Sequence, residues 1–177
     1  LAVSLSICAI GYVITDFGFS LSSTYYISKH RDDARKVGKH LGAVYSLKTI
    51  LIVFFALFLF LLSLLDSSIV YSADQLTAIF LVLLFQIVVP TCFFQGIEKM
   101  KNLAVYMGAS KIIYVALIFL LIKVQDDWIQ VLNIFALTNA IAGAIALALI
   151  YREKYAILWP GVRGIVSTAQ DGAGFFV

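Results

Sequence analysis

Long stretches without a charged residue constrain the fold of this chain more than any other feature of its sequence. Three such stretches cover residues 49–65, 75–97 and 128–151. Residues 102–122 are interrupted only by Lys111, and residues 1–21 only by Asp16. A helix needs roughly 17–25 apolar residues to cross a bilayer. The sequence therefore predicts an all-α polytopic membrane protein with about five transmembrane helices.

Composition agrees with a membrane environment. The chain is 62% hydrophobic and only 13% charged, whereas an average soluble domain carries about 25% charged residues. The predicted helices cover residues 1–21, 45–65, 76–96, 103–122 and 128–150, with the start of a further helix near 172–177. No basic segment precedes the first apolar run, as it would in a signal peptide, so we expect an internal fragment of a longer protein.

The basic residues fall on alternate connections between the predicted helices. Twelve of the thirteen lie on one side: Lys29, Arg31, Arg35, Lys36, Lys39, Lys48, Lys99, Lys101, Lys111, Arg152, Lys154 and Arg163. Lys123 is on the other side, where the connections carry Asp66, Asp74, Asp126 and Asp127. Because positive loops stay in the cytoplasm, this pattern predicts cytoplasmic basic connections.

Residues 27–44 differ from the rest of the chain. Ile27, Val37, Leu41 and Val44 recur at helical spacings, and basic residues fill the positions between them. This pattern is typical of an amphipathic helix on a membrane surface. The charges are explained by topology and by attraction to anionic lipid headgroups, so we expect no nucleic-acid partner.

Two positions within the predicted helices point to polar chemistry. Asp16 is an ionisable residue in a membrane segment, which is costly and often functional; the alternative is a position at headgroup depth. Pro90 removes the helical hydrogen bond to the carbonyl of Gln86. We therefore expect a kink that presents the carbonyl and the amide of Gln86, as the broken helices of transporters do, or a static kink filled by a neighbouring helix.

Lys48 and Lys111 occupy matching places, each predicted about one turn inside the cytoplasmic start of a helix. Either they extend to the interface, or they face a cavity and meet an anionic group. Asn139 is predicted to form a hydrogen bond between helices, and Ala140, Ala144 and Ala148 form a stripe suited to close packing. The sequence shows no catalytic nucleophile–base set and no cluster of metal ligands.

Two phrases of the sequence resemble the signatures of the polysaccharide biosynthesis (Wzx-type) flippases. The first is DFGFSLSST at residues 16–24, and the second is Pro90 followed by FFQGIEKMK at residues 93–101. Tyr25-Tyr26 replaces a basic pair that is usual in the family, and Cys92 replaces a usual Trp. The resemblance implies a twelve-helix fold shared with multidrug and toxin extruders, of which this chain would hold about five.

The resemblance also implies a function. Such flippases move an undecaprenyl-pyrophosphate-linked oligosaccharide across the bacterial inner membrane, coupled to a proton or sodium gradient and without a bound cofactor or metal. Membrane lipids, a polysaccharide polymerase and a chain-length regulator are the implied partners. The residues carried over from the family are Asp16, Lys48, Gln95, Glu98 and Lys111.

Three other functions remain open at this point, one of which is a scaffolding role for the product of a degenerate or truncated gene. The same fold can carry a different cargo, such as a peptidoglycan precursor, a teichoic-acid unit or a cationic drug. A drug exporter would favour acidic residues at membrane depth, whereas this chain has mainly lysines there. An integral-membrane enzyme of glycan assembly is the third alternative, although it would be expected to carry a large extracytoplasmic loop.

Overall fold

A computed structural model describes residues 1–16, 18–65, 72–123 and 128–174. Within these ranges the secondary structure is helical. The eight helices are α1 (Ala2–Asp16), α2 (Phe19–Lys29), α3 (Ala34–Leu65), α4 (Ala73–Ile87), α5 (Thr91–Gly96), α6 (Met100–Leu121), α7 (Trp128–Arg152) and α8 (Gly161–Gly174). The predicted acidic residues Asp66, Asp126 and Asp127 lie outside the described residues, as do Phe17 and residues 175–177.

Four spans in the described ranges are long and apolar enough to cross a membrane: α3, α4 continued through α5, α6 and α7. The bent pair of α1 and α2 makes a fifth if the two helices form one span. Helical spans satisfy their backbone hydrogen bonds internally, which is what a lipid environment demands. The prediction of an all-α polytopic membrane protein is confirmed.

The helix α3 is longer than the sequence pattern predicts. It begins at Ala34, so the predicted amphipathic segment 27–44 comprises the end of α2, a turn and the first third of α3. The backbone N–H of Lys36 donates to the carboxylate of Asp33, which caps the helix at its start. No proline lies between Asp33 and the uncharged stretch that begins at residue 49, so one continuous helix forms.

The apolar side of segment 27–44 faces the protein core. Ile27, Val37 and Leu41 are almost completely buried, and they pack with Phe93 and Phe94 of α5. The periodicity that predicts a surface helix is therefore real, but its apolar residues contact other helices. An amphipathic pattern alone does not distinguish a lipid interface from a protein neighbour, because both bury the same stripe.

A second core lies toward the other end of the bundle. Ile52 of α3, Val82 and Leu83 of α4, and Leu132 and Ala136 of α7 pack together there. The helix α4 is central, since it contacts α1, α3 and α7. The two cores together hold α1 to α7 as one bundle around α4 and α5.

The small residues that allow α7 to approach α4 are not the predicted stripe. Ala144 and Ala148 are exposed, whereas Gly143 packs so closely that an added Cβ would lie 2.8 Å from Val88 Cγ1. Ala146 is also fully buried. Within the described residues the predicted stripe is therefore not the face of α7 that packs against α4. Spacing identifies a close-packing face only when the neighbour's position is known.

An extended segment after α7 crosses α3 and leads to α8. The backbone N–H of Leu158 donates to the carbonyl of Gly38, at 3.0 Å. Cβ atoms at Gly38 and Gly42 would lie 2.0 and 2.1 Å from the carbonyl oxygens of Ala156 and Leu158. The helix α8 then begins at Gly161, well before the helix start predicted near residue 172.

Candidate functional site

Pro90 divides one membrane span into two helices. The helix α4 ends at Ile87 and α5 begins at Thr91. The hydroxyl of Tyr45 donates to the carbonyl of Val88 at 3.2 Å, and the backbone N–H of Val89 donates to the carbonyl of Gln86 at 3.4 Å. The expectation of a free Gln86 carbonyl is therefore wrong, because the chain turns back at the break and satisfies it locally.

A small polar cavity of about 70 Å³ lies beside this break. Its polar lining comes from five helices: Tyr12, Gln86, Thr91, Ser110, Lys111 and Asn139. The side-chain nitrogen of Asn139 is buried and has no hydrogen-bond partner among the described residues. An unsatisfied buried amide is uncommon in native proteins and calls for a water or ligand partner. Within the described ranges this nitrogen therefore does not form the predicted interhelical hydrogen bond.

The cavity lies about half-way along the membrane spans, and Lys111 at its edge is exposed. Lys111 is eleven residues after Met100, the start of α6, which places it about 16 Å along the helix. Asn139 is likewise eleven residues after Trp128 in α7. The hydrocarbon core of a bilayer is about 30 Å thick. Both residues therefore lie near the middle of their membrane spans. The expectation that Lys111 is one turn from the helix start is wrong, since α6 begins earlier.

The ammonium of Lys111 lies on an aromatic ring. Its Nζ is 4.5 Å from the ring centroid of Phe135 in α7, a distance suited to cation–π attraction. No ion-pair partner for Lys111 occurs in the described part of the chain. Lys111 therefore presents an uncompensated positive charge at the edge of a cavity that also contains two amide side chains.

Lys48 and Asp16 form an ion pair. Lys48 Nζ is 2.7 Å from Asp16 Oδ1, and the two side chains are 13% and 20% exposed. Lys48 is fourteen residues inside α3, so it is not one turn from the helix start either. The pair compensates both charges and joins α1 to α3. Of the two predicted lysines, only Lys111 remains available to an anionic group in this structure.

Comparison with known proteins supplies the relationship. A family model described as "Polysaccharide biosynthesis protein" matches residues 1–171. This chain belongs to the polysaccharide biosynthesis protein family.

Relatives within this family cover much of the chain. The "Putative O-antigen transporter" of Escherichia coli (strain K12) is 30% identical over 143 residues, which is 81% of this chain and 34% of the relative. The protein of the same name from Shigella dysenteriae is 30% identical over 88 residues, 49% of this chain and 22% of the relative. The chain thus spans about a third or less of these relatives. No solved structure matches it significantly.

In this member of the polysaccharide biosynthesis family, the second signature mainly joins α2 to α5. The hydroxyl of Thr24 is 3.3 Å from Gln95 Oε1, and Glu98 forms an exposed ion pair with Arg31 at 3.1 Å. At Gly96 an added Cβ would lie 2.6 Å from Ile27 Cγ2. Gln95 and Glu98 therefore lie apart from the polar cavity, which contains Gln86 and Lys111 among the predicted residues.

Sequence reasoning overlooked three polar residues of the cavity, Tyr12, Thr91 and Ser110. Tyr12 lies one helical turn before Asp16 in α1, and residues four apart share a helix face. That spacing is the signal by which it could have been found. Asp16 and Pro90 do not line the cavity. Tyr12, four residues before Asp16, and Gln86, four residues before Pro90, do line it.

Proposed function

We propose that the protein containing this chain is a flippase for an undecaprenyl-pyrophosphate-linked oligosaccharide, the O-antigen repeat unit, in the bacterial inner membrane. Its basic connections face the cytoplasm. Family membership and the names of two relatives support this proposal. The observation that carries it is the polar cavity of Gln86, Lys111 and Asn139 beside a broken helix, near mid-span.

The chemistry of that cavity suits the cargo. A sugar headgroup cannot cross hydrocarbon without partners, because each polar group that loses water costs several kcal/mol. The amides of Gln86 and Asn139 can donate to and accept from sugar hydroxyls. Lys111 supplies a positive charge for an anionic group such as the pyrophosphate, and in low dielectric that attraction is strong.

The cavity of about 70 Å³ is too small to hold a sugar ring. It is one wall of a larger translocation path whose other wall comes from parts of the protein outside this chain. Alternating access between two halves would move the headgroup while the lipid tail stays in the bilayer. The proposal includes a proton or sodium gradient as the energy source, a polymerase and a chain-length regulator as partners, and no enzymatic step.

The test uses the intact gene in a bacterium that lacks its own O-unit flippase. We expect it to restore surface polysaccharide, and Lys111→Ala to reduce export about tenfold or more, the effect of losing one charged hydrogen bond. Lys101→Ala is the matched control, because Lys101 lies in the first turn of the same helix, away from the cavity.

Two results would contradict the proposal. Unchanged export with Lys111→Ala at normal protein levels would exclude the cavity lysine from cargo binding. Absence of polysaccharide combined with raised survival against cationic drugs would reassign the protein as a drug extruder. The assay includes a second strain whose repeat unit matches the sugars of the source bacterium. A difference in cargo specificity would then restore surface polysaccharide in one strain and not in the other.

A further inference from the structure

Two adjoining clefts lie between α2, α3 and α8, away from the cavity described above. Their volumes are about 200 and 400 Å³. Both are lined by Tyr26, His40 and Asp171, so they form one continuous groove. Neither cleft includes a residue that lines the Lys111 cavity. The groove lies at the end of the bundle where most basic residues are found.

The smaller cleft is cationic. Lys36 and Lys39 of α3 line it on one side, and Ser167 and Thr168 of α8 line it on the other. The amine of Lys36 has an exposed partner, Asp33, at 3.5 Å, whereas Lys39 forms no ion pair with any described residue. Amines and hydroxyls together are the donors that bind a phosphate group.

The larger cleft has different chemistry. Its lining contains the carboxylate of Asp171, the ring of Tyr25 and the hydroxyl of Ser22. The ring of Tyr26 also lines it but is stacked on His30 and His40. The hydroxyl of Ser22 is buried without a hydrogen-bond partner in the described ranges, and Ser22 is only 4% exposed. The carboxylate of Asp171 and the exposed ring of Tyr25 suit a small ammonium group, which both attract. The orphan hydroxyl can accept one further N–H.

The opposite charges of the groove do not neutralise each other. Asp171 lines the same cleft as Lys36 and Lys39, but it forms no ion pair with either lysine. A ligand that carries a negative group at one end and a positive group at the other would satisfy both. We propose that this groove binds a phospholipid headgroup with one phosphate and one primary ammonium, as in phosphatidylethanolamine.

A lipid source is favoured over a soluble one by the surroundings of the groove. Trp159 is 72% exposed immediately before α8, and Val162 on α8 is 74% exposed. Exposed Trp and apolar residues on an amphipathic helix are typical of the membrane–water interface. At that depth a headgroup can enter the groove while its acyl chains remain in the bilayer.

The test measures lipid retention on the intact protein by native mass spectrometry after detergent extraction. The probes are phosphatidylethanolamine, phosphatidylglycerol, which has no ammonium, and soluble O-phosphoethanolamine. We expect preferential retention of phosphatidylethanolamine, weakened about tenfold by Lys39→Gln and by Asp171→Asn, since each removes one charged hydrogen bond. Lys39→Arg should retain the lipid, and so should the control Lys101→Gln outside the groove.

Four outcomes would overturn the proposal. Equal retention of phosphatidylglycerol, or unchanged retention in Asp171→Asn, would show that no ammonium is recognised at this carboxylate. Binding of soluble O-phosphoethanolamine without retention of the lipid would show that the ligand is a soluble compound and not a lipid headgroup. Only variants with the thermal midpoint and monodispersity of the wild-type protein are compared. Loss of lipid retention in Lys39→Arg as well as in Lys39→Gln would exclude a charge contact at this position.

Discussion

The ion pair of Asp16 and Lys48 links α1 to α3. Its two side chains are largely buried, and a buried charge without a partner is costly. We expect Lys48→Gln to destabilise the protein by about 2 kcal/mol, the range for a hydrogen bond between charged groups. Thermal unfolding in detergent measures this change.

The double variant Asp16→Asn with Lys48→Gln provides the control for this prediction. Removing both charges leaves no unpaired ion, so the double variant should be more stable than Lys48→Gln alone. Equal destabilisation in the single and double variants would show that the pair does not couple the two helices. Export assays on the same set separate this structural role from any role in transport.

Asp33 caps α3 and gives that helix a pH dependence. Its carboxylate accepts a hydrogen bond from the backbone N–H of Lys36, which lowers the pKa of Asp33 below its ordinary value. Because the folded-state pKa is depressed, the stabilisation is present above the ordinary pKa of about 4 and is lost as the pH falls through the lower folded value.

Hydrogen exchange at the amide of Lys36 tests this cap. After correction for the intrinsic rate, exchange should accelerate in Asp33→Ala at neutral pH, and Asp33→Ser should retain much of the protection because Ser also caps helices. The wild-type amide should lose protection only in strong acid. Protection that is independent of both substitution and pH would contradict the assignment of Asp33 as the cap.

At the scale of elements, the crossing of the extended segment over α3 depends on two glycines. Added Cβ atoms at Gly38 and Gly42 would lie about 2 Å from backbone carbonyl oxygens, a distance at which the backbone must move. We expect Gly38→Ala to displace the segment and α8, and to increase protease cleavage between Tyr155 and Pro160. Thermal stability should fall as well.

Gly108 provides the matched control for this prediction. It lies in α6, and an added Cβ there meets nothing within 4 Å. Gly108→Ala should be neutral or stabilising by up to about 1 kcal/mol, because Ala has the higher helix propensity. If Gly38→Ala behaved like Gly108→Ala, the close approach of the segment to α3 would be wrong.

At the scale of the whole molecule, the alternation of charge predicts which connections face the cytoplasm. Lys101 follows the α5–α6 turn, and Lys123 follows the other end of α6. In intact cells we expect a membrane-impermeant maleimide to label Lys123→Cys and to label Lys101→Cys only after permeabilisation. The native Cys8 and Cys92 are buried, so background labelling should be low. The reverse labelling would invert the topology.

The family and the number of spans could be read from sequence, because both depend on features that are local along the chain. A bilayer demands about twenty apolar residues in a row, and the signatures at residues 16–24 and 90–101 are contiguous. Pro90 likewise predicts a break from its own covalent structure. The existence of polar residues at membrane depth was also evident, since Asp16, Lys48 and Lys111 stand alone in apolar stretches.

The tertiary structure alone decided which of these residues act together. Helix rotation determines that Gly143 rather than Ala144 packs against Val88 at the end of α4. It also buries Val37 and Leu41 of α3 against Phe93 and Phe94 rather than at the membrane surface. It also pairs Lys48 with Asp16, 32 residues away in sequence, and places Lys111 over Phe135. The sequence by itself specified the membrane environment of the helices and the position of the helix break at Pro90. Only packing between distant helices, which no local pattern records, assigned partners to the charges.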